Sequence, residues 1–154
     1  MSQKCRSAFL GLVLLQAVHS VEEYTFGFFD VFPPARLLDD IWPGIARPGF
    51  VVFNTALVLF GLWCFFRRVG PGAATARSWA WLWVAIELYN GVAHPIWAVA
   101  IRDYNPGLAS APLLLALAVH LARGLRAEGR CAVDQAAAQR RLEADEPRPG
   151  PTGP

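Results

Sequence analysis

Apolar residues along this chain gather in four blocks that are separated by polar or proline-containing stretches. The blocks occupy residues 8–29, 50–66, 78–101 and 107–122. A membrane-spanning helix needs roughly 17–25 residues. The first and third blocks are long enough, although the first contains two carboxylates. The second block is at the lower limit of this range, and the fourth falls just below the limit unless flanking residues extend the helix. The pattern predicts an all-α, four-helix membrane bundle over residues 1–123.

The segments outside the blocks carry different signals. Residues 30–49 hold four prolines, which exclude one continuous helix. Apolar residues beside two aspartates in this segment indicate either an interfacial, lid-like element or a plain connector. Residues 124–154 form a polar tail. Its first part, 124–143, is compatible with a polar helix, and its end, 146–154, has the composition of a disordered segment.

The first block permits a second interpretation, that of a cleaved signal peptide. Lys4 and Arg6 form a basic start, and residues 8–18 form an apolar run. Val18-x-Ser20 is a tolerable cleavage site. Against this interpretation, apolar residues resume after the polar cluster of the block, and a four-span bundle needs this helix. We therefore expect the first block to be a membrane span.

The overall composition narrows the class of protein. Hydrophobic residues make up 55% and charged residues 17% of the 154, whereas soluble domains average about 45–50% and about 25%. This excess argues against an ordinary soluble enzyme, and a net charge of +2 is too small to indicate nucleic-acid binding. The three cysteines form no disulfide framework or zinc knuckle. The sequence contains no phosphate-binding loop or dinucleotide fingerprint, so we expect no nucleotide cofactor.

The basic residues predict the orientation of the chain in a bilayer. Eleven of the fourteen Lys and Arg residues lie before the first block, between the second and third, or after the fourth. The positive-inside rule then makes both termini and the middle loop cytoplasmic. We therefore expect a multi-pass protein of the cell membrane with the lipid bilayer as its partner. Its cysteines fall on or near the reducing side, as free thiols.

Six polar residues interrupt the first and third spans at the same predicted depth. They are His19, Glu22, Glu23, Glu87, Asn90 and His94. At about 100° per residue the first three share one helix face, and so do the last three. Polar groups are expensive inside a bilayer, and no Lys or Arg lies within the four spans, so these residues are candidates for a functional site. A structural polar network that joins the helices is the alternative.

The residues His19-Ser20-Val21-Glu22-Glu23 form an H-x-x-E-E motif. Glu87, Asn90 and His94, followed by Pro95, complete the pattern. In its motif, second cluster and span layout the chain resembles the HXXEE family of small multi-span bacterial membrane proteins, which is named for this motif. The resemblance covers about residues 8–122 and leaves the tail outside. It implies the fold and the site but supplies no reaction.

A metal centre is the first of three functions that fit the cluster. Histidine and carboxylate ligands suit zinc, iron or manganese. The candidate ligands for one or two such ions are His19, Glu22, Glu23, Glu87 and His94. The metal would polarise a substrate oxygen or activate water. The substrate would be an apolar small molecule of lipid or isoprenoid type.

Metal-free acid–base catalysis is the second function. A Glu in apolar surroundings donates a proton and a neighbouring group removes one, as in an isomerase or cyclase of a sterol or terpenoid. The candidate catalytic residues are Glu22, Glu23, Glu87 and Asn90. Aromatic rings facing a carbocation would stabilise it, although Trp near span ends is also a common interfacial anchor. The candidate pocket residues are Trp83, Trp97, Tyr24 and Asn54.

A proton- or ion-coupled carrier, or a protein without catalysis, is the third function. Intramembrane Glu and His side chains relay protons or bind ions in such proteins. A carrier with four short spans would require a homodimer. No inverted repeat in the sequence supports this function.

Overall fold

The computed structural model describes residues 1–145, and every regular element among them is helical. In chain order the helices are α1 (Gln3–Thr25), α2 (Phe28–Val31), α3 (Pro33–Ile41), α4 (Ala46–Cys64), α5 (Ala76–Ile101) and α6 (Ala111–Asp145). A π-helical turn, Phe65–Val69, continues α4. The all-α prediction is therefore confirmed.

The four long helices alternate in direction, so their contacts define two ends of the bundle. At one end the start of α1 meets the α4–α5 connection and the middle of α6. There Arg6 Nη1 donates to the carbonyl oxygen of Gly70 at 2.7 Å. The backbone N–H of Ser2 donates to Glu128 Oε1 at 2.9 Å. We call this the N-terminal end, and the opposite end, where α1 finishes and α4 begins, the site end.

The core forms where α1, α5 and α6 pack together, with α4 lying against α1. Phe9 of α1 meets Trp83 of α5 edge to face, with ring centroids 6.0 Å apart. Both side chains are fully buried. At Gly61 a Cβ would stand 2.6 Å from the Trp83 ring, so only glycine lets α4 approach this closely. Trp83 is therefore a core residue, and the structure does not place it in the pocket proposed from the sequence.

The long helices cover the apolar blocks but differ from them at their ends. α1 and α4 begin before their blocks, and α6 begins at Ala111, after residues 107–110 of the fourth block. α1 ends at Thr25, and Gly27, with φ of 72°, turns the last residues of the first block into α2. α6 runs without a break from the fourth block into the tail predicted as polar. Its 35 residues span about 52 Å, longer than the roughly 30 Å of a bilayer core. The predicted disordered end, 146–154, lies outside the described residues.

Two of the described helices are long and apolar enough to cross a membrane. They are Ala46–Val69, which is α4 with its π-helical turn, and α5. The proline-rich segment between α1 and α4 forms the two short helices α2 and α3 instead of one long helix, as the prolines predict. Pro33 begins α3, a position where a backbone N–H would have no acceptor within the helix, so proline costs no hydrogen bond there. No side chain of α3 is buried, and its apolar residues Leu37, Leu38 and Ile41 are exposed.

Candidate metal centre

Three of the five ligands proposed from the sequence converge at the site end of the bundle. They are His19 and Glu23 of α1 and His94 of α5. Glu23 Oε1 lies 3.6 Å from His19 Nε2 and 3.3 Å from His94 Nε2. One ligand atom from each residue fits within 4.8 Å of the other two. All three side chains are buried, with exposed fractions of 0%, 6% and 4%.

The local sequence explains this convergence. His19 and Glu23 are four residues apart on α1, so one helical turn stacks them on the same face. That face is turned toward α5, where His94 comes within a T-shaped ring contact of His19, at a centroid distance of 4.8 Å. Only one of the two neighbouring glutamates can face α5, because adjacent residues on a helix point about 100° apart. The packing of α1 selects Glu23.

The connection between α5 and α6 supplies a second layer around the two imidazoles. Ser110 Oγ lies 2.7 Å from His19 Nδ1, and Asn105 Nδ2 lies 3.1 Å from His94 Nδ1. Between them, Gly107 passes so close that a Cβ there would be 2.6 Å from His94 Cε1 and 2.7 Å from His19 Cε1. We call residues 105–110 the clamp loop. Its residues contact both rings at Nδ1 and Cε1, and the Nε2 atoms of both rings face Glu23.

Glu22, the other glutamate of the motif, holds the clamp loop to α1. Its carboxylate accepts from the backbone N–H groups of Ala109 and Ser110, each at 2.9 Å. It also accepts from Ser110 Oγ and from the hydroxyl of Tyr104, each at 2.5 Å. Burial and this hydrogen bond raise the pKa of Tyr104 to about 12, so the phenol remains a donor at neutral pH. Glu22 therefore acts as an anchor and lies outside the three-ligand cluster.

The Ser110–Glu22 bond fixes the tautomer of His19. A hydroxyl has one proton, and Ser110 gives it to Glu22. In the contact with Ser110 the donor must then be His19 Nδ1–H. In the neutral ring the lone pair is consequently on Nε2, which is buried and has no hydrogen-bond partner among the described residues. The buried Nε2 lone pair therefore faces the carboxylate of Glu23 without a donor between them. A cation bound there would contact both groups.

His94 has a different hydrogen-bonding arrangement. Asn105 Nδ2 donates to its Nδ1, which leaves the ring proton on Nε2, facing Glu23. Asn105 Oδ1 is itself buried without a partner. Turning the Asn105 amide by 180° would bring Oδ1 to Nδ1, where it would accept a hydrogen bond from Nδ1–H, and the lone pair on Nε2 would be free to bind a metal. The Asn105 amide can therefore support either tautomer of His94.

The remaining residues proposed for the site lie outside the three-ligand cluster. Glu87 is fully buried, and Asn90 Nδ2 donates to its Oε2 at 3.3 Å. Asn54 accepts a 2.7 Å bond from Ser20 Oγ. Tyr24 is exposed, and its hydroxyl accepts from Arg47 Nη2 at 2.6 Å. Glu87, Asn90 and Asn54 take part in buried polar contacts apart from this cluster, and Tyr24 takes part in a contact at the surface of the bundle.

Aromatic rings cover the centre from the side of α2. Phe28 lies 5.3 Å from the His94 ring, centroid to centroid, and Trp97 lies 5.7 Å from Phe28. Phe32 in turn lies 4.9 Å from Phe28. Of the aromatic residues proposed for the pocket, Trp97 is the one that joins this aromatic cover. The cover itself was not foreseen, because it depends on how α2 folds back after Gly27.

The sequence reasoning also missed the clamp loop. Asn105-Pro106-Gly107 is a strong turn signal placed directly after the polar face of α5, and its position was the one clue available. Ser110 gave no comparable signal, since a single serine in a connector is usually a surface residue.

The fold and the site together define an all-helical protein with membrane-length apolar helices and a buried histidine–carboxylate cluster. The chain belongs to the HXXEE family: the family model, described as a protein of unknown function with HXXEE motif, matches residues 10–121. The matched range contains both imidazoles, both motif glutamates and the clamp loop. No curated protein and no solved structure matches the chain.

Proposed function

We propose that this protein is a membrane-embedded, metal-dependent enzyme that acts on an apolar substrate of lipid or isoprenoid type. The observation that carries the proposal is the convergence of His19, Glu23 and His94 around the unpartnered Nε2 of His19. Two imidazoles and one carboxylate form a ligand set that catalytic zinc and non-haem iron both use.

The distances between ligand atoms support the proposal. A tetrahedral zinc ion with bonds of about 2.0–2.1 Å holds its ligand atoms about 3.3 Å apart. Glu23 Oε1 is already 3.3 Å from His94 Nε2 and 3.6 Å from His19 Nε2. The three ligand atoms together spread over 4.8 Å, so a metal would need the two imidazoles to move toward each other. It would also need release of the His94 Nε2 proton and a turn of the Asn105 amide. With three protein ligands a fourth position stays open for water or substrate.

Each residue around the centre has a role in this proposal. Ser110, tied to Glu22, keeps His19 in the tautomer that presents Nε2. Asn105 supports the matching tautomer of His94. A divalent ion bound there would supply Lewis acidity and lower the pKa of a bound water. Zinc, iron and manganese remain the candidate metals, because the ligand types suit all three.

The surroundings of the centre favour an apolar substrate. Phe28 packs beside His94, and Trp97 packs against Phe28. The exposed apolar face of α3, with Leu37, Leu38 and Ile41, is suited to the surface of a bilayer. We place α1 and α6 across the membrane together with α4 and α5, with both termini cytoplasmic. In this arrangement the centre lies toward the outer surface, on the side of α2 and α3.

Elemental analysis of the full chain purified in detergent tests the proposal. The wild type should contain zinc, iron or manganese in a stoichiometric amount, and His94→Ala should lose it. The matched control is His120→Ala, since His120 is exposed on α6 and remote in sequence from the cluster. Folded protein that takes up none of these metals, or His94→Ala that binds as well as wild type, would exclude a metal centre here.

A metal-free acid–base function is the second candidate, and one observation favours it. His94 Nε2–H and Glu23 Oε1, 3.3 Å apart, already form a hydrogen-bonded acid–base pair without an ion. On this alternative, Glu23→Gln would abolish turnover of a sterol or terpenoid substrate in metal-free protein. If metal-free wild-type protein is inactive and added metal alone restores its activity, the result would instead support the metal-dependent enzyme.

A further inference from the structure

A second buried polar cluster lies one heptad closer to the N-terminal end than the metal centre. Gln16 precedes Glu23 by seven residues, and Glu87 precedes His94 by seven, so the two levels are about 10 Å apart along α1 and α5. We call this group the amide cluster. Its members come from three helices and are Gln16, Ser20, Asn54, Glu87 and Asn90.

The hydrogen bonds of the amide cluster form a chain with one direction. Gln16 Nε2 donates to Ser20 Oγ at 3.2 Å, and Ser20 Oγ donates to Asn54 Oδ1 at 2.7 Å. Asn54 Nδ2 then donates to the carbonyl oxygen of Phe50 at 3.2 Å. Because the short bond to Asn54 uses the only hydroxyl proton of Ser20, Ser20 must accept from Gln16. The amide oxygen of Gln16 is thereby turned toward α5.

Glu87 stands at the head of this chain. The Gln16 amide atom that faces α5 lies 2.9 Å from Glu87 Oε2 and 3.2 Å from Oε1. An amide oxygen in that place repels an ionised carboxylate but accepts a hydrogen bond from a carboxylic acid. Asn90 Nδ2 lies 3.2 Å from the same amide atom and donates to it. In the reverse orientation Gln16 Nε2 would donate to both oxygens of an ionised Glu87, but it would lie 3.2 Å from the Asn90 NH₂ group. Ser20 would also have to give its one proton to Gln16 and leave Asn54 Oδ1 without a donor. The contacts of Ser20 and Asn90 therefore favour the orientation that needs an acid.

Among residues 1–145, no Lys or Arg side chain forms an ion pair with Glu87, which is fully buried. The spans at 8–29, 50–66 and 78–101 contain no Lys or Arg. The other titratable groups in these stretches are His19, Glu22, Glu23 and Tyr24 of α1, Cys64 of α4, and Tyr89 and His94 of α5. Residues 111–119 of α6 contain none. The two imidazoles are already engaged at the centre one heptad away, so a proton is the simplest counter-charge for Glu87.

We propose that Glu87 is a proton-binding site, carried as a neutral carboxylic acid that donates to Gln16. When the proton leaves to solvent, the Gln16 amide turns so that Nε2 donates to the carboxylate. Ser20 then donates to Gln16 Oε1, at the 3.2 Å already present between those atoms. Asn54 loses its hydrogen bond from Ser20, while its Nδ2 stays on the carbonyl oxygen of Phe50, which cannot donate. Proton loss at Glu87 thus reverses the hydrogen bonds of Gln16 and Ser20, and the reversal ends at Asn54.

Infrared spectroscopy of the full chain in lipid nanodiscs tests this site, because a protonated carboxyl group has its own C=O stretching band. At pH 7 the wild type should show this band in difference spectra against alkaline pH. Glu87→Gln should remove it and fold normally, since an amide has the shape of a neutral acid and also donates to Gln16. Glu23→Gln, which changes the other buried carboxyl, is the matched control and should retain the band.

A second variant covers the case in which Glu87→Gln fails to fold. Gln16→Leu removes the acceptor, so the band should persist but move to higher wavenumber, as expected for a carboxylic acid that has lost a hydrogen bond. Absence of the acid band in wild type at pH 7 would overturn the proposal. So would a band that Glu87→Gln leaves in place. Neither result depends on metal, so this site and the metal centre can fail separately.

Discussion

Replacement of Gly107 by alanine tests whether the clamp loop sets the geometry of the proposed metal centre. The new Cβ would lie 2.6 Å from His94 Cε1 and 2.7 Å from His19 Cε1. Carbon atoms pack at about 3.5–4.0 Å, so each ring or the loop must retreat by about 0.8 Å or more. Metal–ligand distances tolerate about 0.2 Å. The displacement therefore exceeds the tolerance of the site.

We expect Gly107→Ala to weaken metal binding by about 10–100-fold, the range typical when a group that orients a ligand is changed. This corresponds to about 1.4–2.7 kcal/mol of binding free energy. Competition with a chromophoric chelator measures the affinity, and thermal unfolding of the same samples measures stability. Alanine at φ of 94° is also strained, which lowers the free energy of unfolding by about 1–3 kcal/mol.

Gly44→Ala separates these two effects. Gly44 has φ of 87°, close to that of Gly107, but a Cβ there would meet nothing within 4 Å. The control should therefore lose stability through backbone strain and keep the metal affinity of wild type. Equal affinities of Gly107→Ala and Gly44→Ala would refute the inference that the clamp loop positions the imidazoles.

Three further changes test neighbouring parts of the structure. Ser110→Ala removes the acceptor that fixes the α1 histidine tautomer, and calorimetric titration should show metal affinity about 10-fold lower or more. Burial and the bond to Glu22 raise the pKa of the Tyr104 hydroxyl to about 12, so an ultraviolet titration should show an ionisation step near that pH, and Tyr104→Phe should remove it. Because the folded-state pKa is raised, the stability from this bond is present below about pH 10 and is lost as the pH rises through 12. Gly91→Ala would place a Cβ 2.6 Å from Leu115 Cβ and should lower the free energy of unfolding by about 1–3 kcal/mol. Gly49→Ala, with open space at its Cβ, should not destabilise the protein, since alanine favours a helix.

The hydrophobic pattern was sufficient to predict the helices because their periodicity and length are local properties. It also placed His19 and His94 in one site, since each lies on the polar face of its helix. It could not choose between Glu22 and Glu23, which sit on either side of His19. The choice depends on the rotation of α1 about its axis, and that rotation is set by contacts such as Phe9 with Trp83. Such contacts join residues far apart in the sequence.

The grouping of Glu87 with the ligands shows a second limit of sequence reasoning. Residues seven apart share a helix face, so Glu87 and His94 look equivalent on a helical wheel. Along the axis they are about 10 Å apart, several times the span of a metal's ligand shell. Ligands can therefore be assigned from a helical wheel only when the position of each residue along the helix axis is also known to within one turn.

The polar interior of the bundle consists of two layers, and each contains a buried carboxyl group that has no Lys or Arg partner among residues 1–145. The two layers surround that carboxyl group with different side chains. Each layer has one acidic group at its centre, Glu23 above and Glu87 below, and residues 8–29, 50–66 and 78–101 contain no Lys or Arg to pair with either. The upper layer surrounds its carboxylate with two imidazoles, whose nitrogen atoms suit a divalent metal. The lower layer surrounds its carboxyl group with amides and a hydroxyl, which can reverse their hydrogen bonds as a proton comes and goes. In our proposals the neighbouring side chains decide which cation each carboxyl group binds, and the heptad spacing keeps the two sites apart.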